Sequence, residues 1–399
     1  MRYGAAMVRI GPRVLPGFIA CVALGCTPRP APTPAPAVAP MPSSNAPADL
    51  LRCPLALHAY ELGAPDAGPP TAPFVAGDGV FVAFPEARAD GSGYDLVAAR
   101  LDHGGTLHPG ARFERAAPGM SVLAAGYGEA LRAPARIGER WMLVSFDASS
   151  GGGQADAPAP MLPAAPSDVV LGPRGLVTLY DDATHRTVER ELEHRAQPTV
   201  VLPRPPSSAI PSEQLLASGA EVDVLLLPTA AAVRFLVLRP GEATPARDEA
   251  LFERGESSVA AGPSGFAVAH GDPSFTRLTL RRFDRAGVPT GEPTSIPTPD
   301  GASVLRHPRV AAQGEGWAVS YWDGVGPAVL RFDAAGRALG PPTPVRSGDE
   351  RGGHTDARMA ATRDGLAVTW HVHEPEFSHG VASERPRRPG ARLGLLRCR

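Results

Sequence analysis

Lysine is absent from the 399 residues, and all 39 basic side chains are arginine. That rules out Schiff-base chemistry on a lysine amine and a Walker-type phosphate loop, since both need that amine. Asparagine occurs once, at Asn45, so tight turns must draw on Gly, Pro and Asp. The chain also lacks a G-x-S-x-G elbow, a C-x-x-C pair, an H-E-x-x-H pattern and a dinucleotide glycine fingerprint. Charge of either sign is not in excess: the net value is −2. Setting aside residues 1–26, which carry Arg2, Arg9 and Arg13, leaves 36 arginines against 41 acids. No electrostatic footprint for nucleic acid or for an anionic bilayer follows from such a balance. Aromatics amount to 6%.

What is abundant is Gly (44) and Pro (46), which limits long helices and multiplies turns. The most informative stretch is Pro308–Val345, which reads as four short strands with three turns. Arg309–Ala312, Trp317–Trp322 and Ala328–Asp333 are the first three, and a proline-bearing run to Val345 is a fourth that suits only an edge. The pattern recurs. The second strand carries Val, a small residue, an aromatic or His, then an acid. Copies are Val319-Ser320-Tyr321-Trp322-Asp323, Val82-Ala83-Phe84-Pro85-Glu86, Val144-Ser145-Phe146-Asp147, Val268-Ala269-His270-Gly271-Asp272 and Val368-Thr369-Trp370, with weaker ones at Leu176–Asp181 and Val222–Leu227. The third strand carries Arg-apolar-Asp-x-x-Gly at Arg100 to Gly105, Arg282 to Gly287 and Arg331 to Gly336. Anchors at Val82, Val144, Val177, Val224, Val268, Val319 and Val368 lie 62, 33, 47, 44, 51 and 49 residues apart.

Four-stranded units of about 40–50 residues are the repeat of a β-propeller. The expected fold is therefore an all-β propeller of seven blades, with six as the runner-up and a β-sandwich pair as the alternative. The ends support closure: Leu50–Tyr60 precedes the first unit unpaired, and the last unit stops after its third strand. Cys53 and Cys398 fall in these two segments. A Cys53–Cys398 disulfide is predicted, with two free buried thiols as the alternative.

Residues 1–26 read as an export signal, with three arginines and an apolar stretch, Val14–Leu24, too short to span a bilayer. Val22-Ala23-Leu24-Gly25-Cys26 resembles the lipobox of bacterial lipoproteins, although Ala23 stands where Leu is preferred. The resemblance implies lipidation of Cys26, with cleavage without lipidation or use of Cys21 as the alternatives, and Thr27 implies the outer membrane. Residues 27–49 are a Pro/Ala-rich tether of polyproline character, and 50–399 form the propeller domain. Through its strand signatures, that domain resembles uncharacterised propeller-like lipoproteins of high-GC bacteria. This implies fold and address, not activity.

Two groups of residues carry candidate chemistry. Glu86, Asp147, Asp181, Asp182, Asp272 and Asp323 follow second strands and would share one face, where they suit a cation, a basic peptide or sugar hydroxyls. The plainer reading is that acids simply suit loops. Trp322 beside Asp323 has the composition of a sugar platform, with core packing as the alternative. His371 and His373 alternate on a strand and, with His379, form a candidate zinc or copper set. His354 and Asp356 enter the same blade. The expectation is a binding module engaging a protein or glycan of the cell envelope through Trp322, Asp323, Asp147, Asp181 and Asp272, with no obligatory cofactor. A metal-assisted hydrolase or lyase on His371, His373 and His379 is the alternative.

Overall fold

A computed structural model of the chain describes residues 53–64, 66–117, 123–127, 130–147, 153–154, 161–192, 195–204, 214–296, 305–324, 326–346, 353–354, 357–373 and 390–398. Cys26, Asp356 and His379 lie outside the described residues. The regular elements among the described residues are all strands, joined by turns, and they form seven antiparallel sheets. Their innermost strands are Phe74–Ala76, Ala125–Tyr127, Pro166–Gly172, Leu216–Ser218, Glu256–Gly262, Arg306–Gln313 and Arg358–Thr362. Each touches the next, and the last returns to the first. The chain is a seven-bladed β-propeller, and the sandwich alternative is set aside. Blades are numbered 1 to 7 in that order.

Blade packing explains the repeated signature. Side chains alternate along a strand, so successive residues face the two neighbouring blades. In blade 6, Val319 and Tyr321 pack into the core shared with blade 5. Ser320 between them faces blade 7 and donates its hydroxyl to the Ala357 carbonyl. Thr369 does the same from blade 7, reaching the Thr71 carbonyl at 2.7 Å. The small residue is thus where the next blade's innermost strand approaches. The Asp-x-x-Gly signature is a hairpin, as expected. Asp102, Asp284 and Asp333 accept backbone N–H groups of their own turns. Gly105, Gly287 and Gly336 take φ of 82°, 79° and 78°, which suits glycine.

Third-strand arginines tie blade to blade. Arg190 donates to the carbonyls of Arg239 (2.8 Å) and Glu242 (2.6 Å) in the third-to-fourth turn of blade 4. Arg282 reaches Ala334 in the corresponding turn of blade 6. Arg331 reaches the carbonyl of Cys53 in blade 7. That blade is closed by both ends of the chain: Leu55–Leu62 is its outermost strand and pairs antiparallel with Gly390–Cys398, Leu55 opposite Cys398.

Blade 2 corrects the repeat. Its second strand is Ala130–Ile137, and Val144-Ser145-Phe146-Asp147 belongs to its third strand, Arg140–Asp147. Trp141 is accordingly on a third strand. Anchored at Ala133, which pairs with Val144, the spacing becomes 51 and 44 residues in place of 62 and 33. The sequence ALRAPARI hides this strand because one face carries Arg132, Pro134 and Arg136.

Candidate binding surfaces

The second-to-third turns and the starts of the innermost strands share one face of the propeller, called here the upper face. Glu86, Asp181, Asp182, Asp272 and Asp323 reach it; Asp147 does not. Asp147 ends a third strand and so lies at the opposite end of its blade, while the turn it was expected to occupy holds Gly138 and Glu139. The acids that do reach the upper face are engaged locally. Glu86 accepts the Ala64 N–H at 2.9 Å and pairs with Arg112. Asp181 binds Arg186 through both oxygens, at 2.6 and 2.9 Å. Burial works to raise its carboxyl, but the Arg186 contacts outweigh it and hold it below the usual range. Asp272 accepts from Ser274, Thr276 and Arg277, and these bonds likewise overcome its burial. Asp323 accepts the Gly326 N–H at 2.9 Å. These contacts are turn chemistry, and they do not build one shared carboxylate pocket.

Where blades 5 and 6 meet, a different group assembles. Cross-strand register places Arg306 opposite Trp322. The Arg306 guanidinium lies 4.4 Å from the centre of the Phe275 ring. Glu256 accepts the His307 N–H, with the Arg306 guanidinium at 3.7 Å and the His307 ring at 3.8 Å. Phe275 and His307 have φ of 59° and 53°, a region that bulky side chains rarely adopt. Leu305 N–H donates to the Phe275 carbonyl at 2.6 Å, locking the two segments together. Arg306 and His307 each keep 45% of their side-chain surface exposed. Sequence reasoning found Trp322 and Asp323 but missed Phe275, Arg306 and His307. A strand irregularity between Arg306 and Arg309 sets their placement, and such a bulge leaves no periodic signal.

The axis of the propeller holds a cavity of about 640 Å³ to which all seven blades contribute. Most of its lining is apolar, including Phe74, Leu123, Trp141, Val169, Leu171 and Val259. Asp168 lines one wall and accepts the N–H groups of Val169, Leu215 and Leu216. Arg309 and Arg358 line it from blades 6 and 7, donating to the Pro308 and Pro70 carbonyls. Gln214, at φ 55°, reaches past blade 5 to the Val310 carbonyl at 2.9 Å.

His371 is buried in the second strand of blade 7. Its Nε2 lies 3.0 Å from the Ala67 carbonyl, which only accepts, so that nitrogen donates and is committed to the backbone. His354 pairs in register with Val372, and Gly353 with His373. Only the backbone of His373 is described, and among the described residues no three metal-binding side chains gather. Ser257 and His270 are hydrogen-bonded at 2.8 Å, but both are buried, and His270 stacks on Phe252 at 4.3 Å. Burial pushes its pKa down to about 4. A buried, neutral histidine with a fully buried serine is a packing pair.

No protein-family model and no curated protein matches the chain. Solved propellers do. The β-propeller domain of Cps50 (Swd1) from Myceliophteria thermophila is 10% identical with a TM-score of 0.53, over 87% of this chain and 100% of that one. The WD40 domain of Toxoplasma gondii coronin is 11% identical with a TM-score of 0.51, over 88% of each chain. The propeller domain of the trilobed protease from Pyrococcus furiosus, described as having an open velcro topology, is 10% identical with a TM-score of 0.50, over 80% and 90%. The chain spans about half the length of the acylaminoacyl peptidases it matches. At these identities the likeness shows the fold alone, and the class of protein is a seven-bladed β-propeller.

Proposed function

We propose that the chain is an exported lipoprotein whose propeller is a binding module for an envelope protein. Cys26 anchors it to the outer membrane, residues 27–49 space the propeller from the bilayer, and the blade 5–6 rim of the upper face engages the partner. The observation that carries this reading is the Arg306 guanidinium laid on Phe275 beside Trp322. Exposed arginine with aromatics is the composition of interface hot spots. The non-glycine positive φ values of Phe275 and His307 add backbone strain, which is retained mostly at functional positions. Propellers related in fold include a WD40 domain. Of the three histidines of the hydrolase alternative, His371 is bonded to the Ala67 carbonyl and the side chains of His373 and His379 lie outside the described residues, so no observation on the described ones favours it.

A photo-crosslinking residue at position 306 in the intact envelope tests the reading, with position 364 on the opposite face as control. One discrete protein adduct from position 306, lost on Phe275→Ala, is the expected result. Equal labelling from both positions, or retention on a glycan array with no protein adduct, overturns it. Cys26→Ser should move the protein out of the membrane fraction; unchanged fractionation would remove the anchor from the proposal.

The proposal includes the Cys53–Cys398 disulfide. Cys53 precedes Leu55, which pairs with Cys398. Arg331 treats the Cys53 carbonyl as Arg282 treats that of Ala334, so this junction stands in for a third-to-fourth hairpin. Closing so long a loop contributes about 5–6 kcal/mol on the chain-entropy model, an upper figure. Reductant should lower the melting temperature of the wild-type protein and leave Cys53→Ser unchanged.

A further inference from the structure

The two chain ends complete blade 7, but a different segment ties that blade to blade 1. Leu55–Leu62 is an edge strand whose one neighbour in the sheet is Gly390–Cys398. Its end residues Leu55 and Leu62 are buried, whereas His58, Ala59 and Glu61 are exposed. An edge strand with little buried apolar surface opens at a lower free-energy cost than the core beside it. Gly63, at φ 64°, then turns the chain onto the upper face. The described residues of 63–73 cross that face between blades 7 and 1 and are bonded to both. Toward blade 1, Ala64 N–H donates to Glu86 (2.9 Å), Gly68 N–H to the Pro85 carbonyl and Thr71 N–H to the Ala83 carbonyl (each 2.8 Å). Thr71 Oγ1 accepts the Ala83 N–H at 3.1 Å. From blade 7, His371, Arg358 and Thr369 donate to the carbonyls of Ala67, Pro70 and Thr71 at 3.0, 3.3 and 2.7 Å. Ala67 and Thr71 are fully buried. This strap holds blade 7 to blade 1 through bonds in which Leu55–Leu62 takes no part.

We propose that Leu55–Leu62 is a releasable strand, locked by oxidation and stopped at the strap. The inference rests on the Cys53–Cys398 disulfide proposed above. That bond pins the start of the strand to the end of its neighbour, because Leu55 lies opposite Cys398. Two electrons and two protons from a dithiol convert it to two thiols, and the dithiol closes to its own disulfide. The strand can then peel from Gly390–Cys398 as a unit. Peeling ends at Gly63, where every further step breaks bonds to two blades at once. Reduction therefore frees the strand, adds its length to the chain before the propeller and bares one sheet edge, while the ring stays closed.

Amide hydrogen exchange of the purified full chain, read by mass spectrometry with and without dithiothreitol, tests it. Reduction should speed exchange across Leu55–Leu62 by about tenfold or more, and Cys53→Ser should show the faster rate without reductant. The amides of Gly68 and Thr71 in the strap should keep their protection in all three samples. The proposal is overturned if the strap amides lose protection together with the strand, since release would then open the ring. It is equally overturned if the strand exchanges alike in the untreated protein and in Cys53→Ser. Thiol titration of the untreated protein separates the two levels of failure. Free thiols refute the disulfide and the lock with it, whereas blocked thiols with unchanged exchange refute the lock alone.

Discussion

The junction between blades 3 and 4 and the junction between blades 2 and 3 come from the same repeat, and they are packed very differently. Blade 4 presents Val224, Leu225, Leu226 and Leu227 in one strand, all buried in a core that runs from blade 3 to blade 5. The counterpart in blade 2 turns Leu131, Ala133 and Ala135 toward blade 1, leaving Arg132, Pro134 and Arg136 for blade 3. Among the described residues the buried hydrophobic cluster at that seam is small, Ala125, Leu143, Val169 and Leu176, and the axial cavity extends into it. A propeller closes as a ring, so a tight junction on one side can carry a loose one on the other. The loose one is where the cavity opens.

Four experiments would break or sharpen this contrast. The largest effect is expected at the tight junction, where Arg174 donates to Asp223 at 2.6 Å inside the blade 3–4 contact. Burial raises the Asp223 carboxyl more than Arg174 and Ser218 lower it, so the pair is not itself a large source of stability. Removing one member is different: Asp223→Ala strands a buried guanidinium and should lose about 3–5 kcal/mol in urea unfolding. Adding Arg174→Met to it should recover most of that loss. Failure to recover would mean the pair, not the stranded charge, holds the junction.

Leucine truncations come next. Leu225→Ala should cost about 3–5 kcal/mol and Leu143→Ala about 2–3, because the second site belongs to a much smaller buried cluster and loses fewer contacts. Equal losses would show that the two seams are packed alike. Third is acid sensitivity on the tight side. His270 is neutral in the folded state with a pKa of about 4, against 6.5 for a free histidine. The unfolded chain then binds the extra proton first, so stability is complete above pH 6.5 and declines by about 3 kcal/mol as pH falls to 4. His270→Phe should flatten the melting temperature across that window. Smallest is a pair of cavity tests. Ala124→Val, lining the cavity, should be neutral or add up to about 1 kcal/mol, whereas Val224→Ile in the tight core should cost about 1–3.

The blade signatures were legible because each is a packing requirement that recurs. Val319 fills a core, Ser320 admits the neighbouring strand, and Asp333 with Gly336 makes a hairpin. Blade 2 was misread because Val144-Ser145-Phe146-Asp147 satisfies the same local pattern on a third strand, while the true second strand is interrupted by arginine and proline. The carboxylates after second strands were correctly placed except Asp147, but spacing alone does not show that Asp181 is taken by Arg186 or that Asp272 closes its own turn.

Composition and periodicity by themselves determined that the chain forms strands, that its units repeat, and that its two ends complete one blade. These follow from local alternation and from turn residues, which act over a few positions. Only the tertiary structure decided which side chains from different blades meet: Arg306 on Phe275, Arg309 and Arg358 with Trp141 around the axis, His371 turned to the Ala67 carbonyl. Such meetings depend on register, on a strand irregularity and on the closing of the ring, and no run of neighbouring residues encodes them.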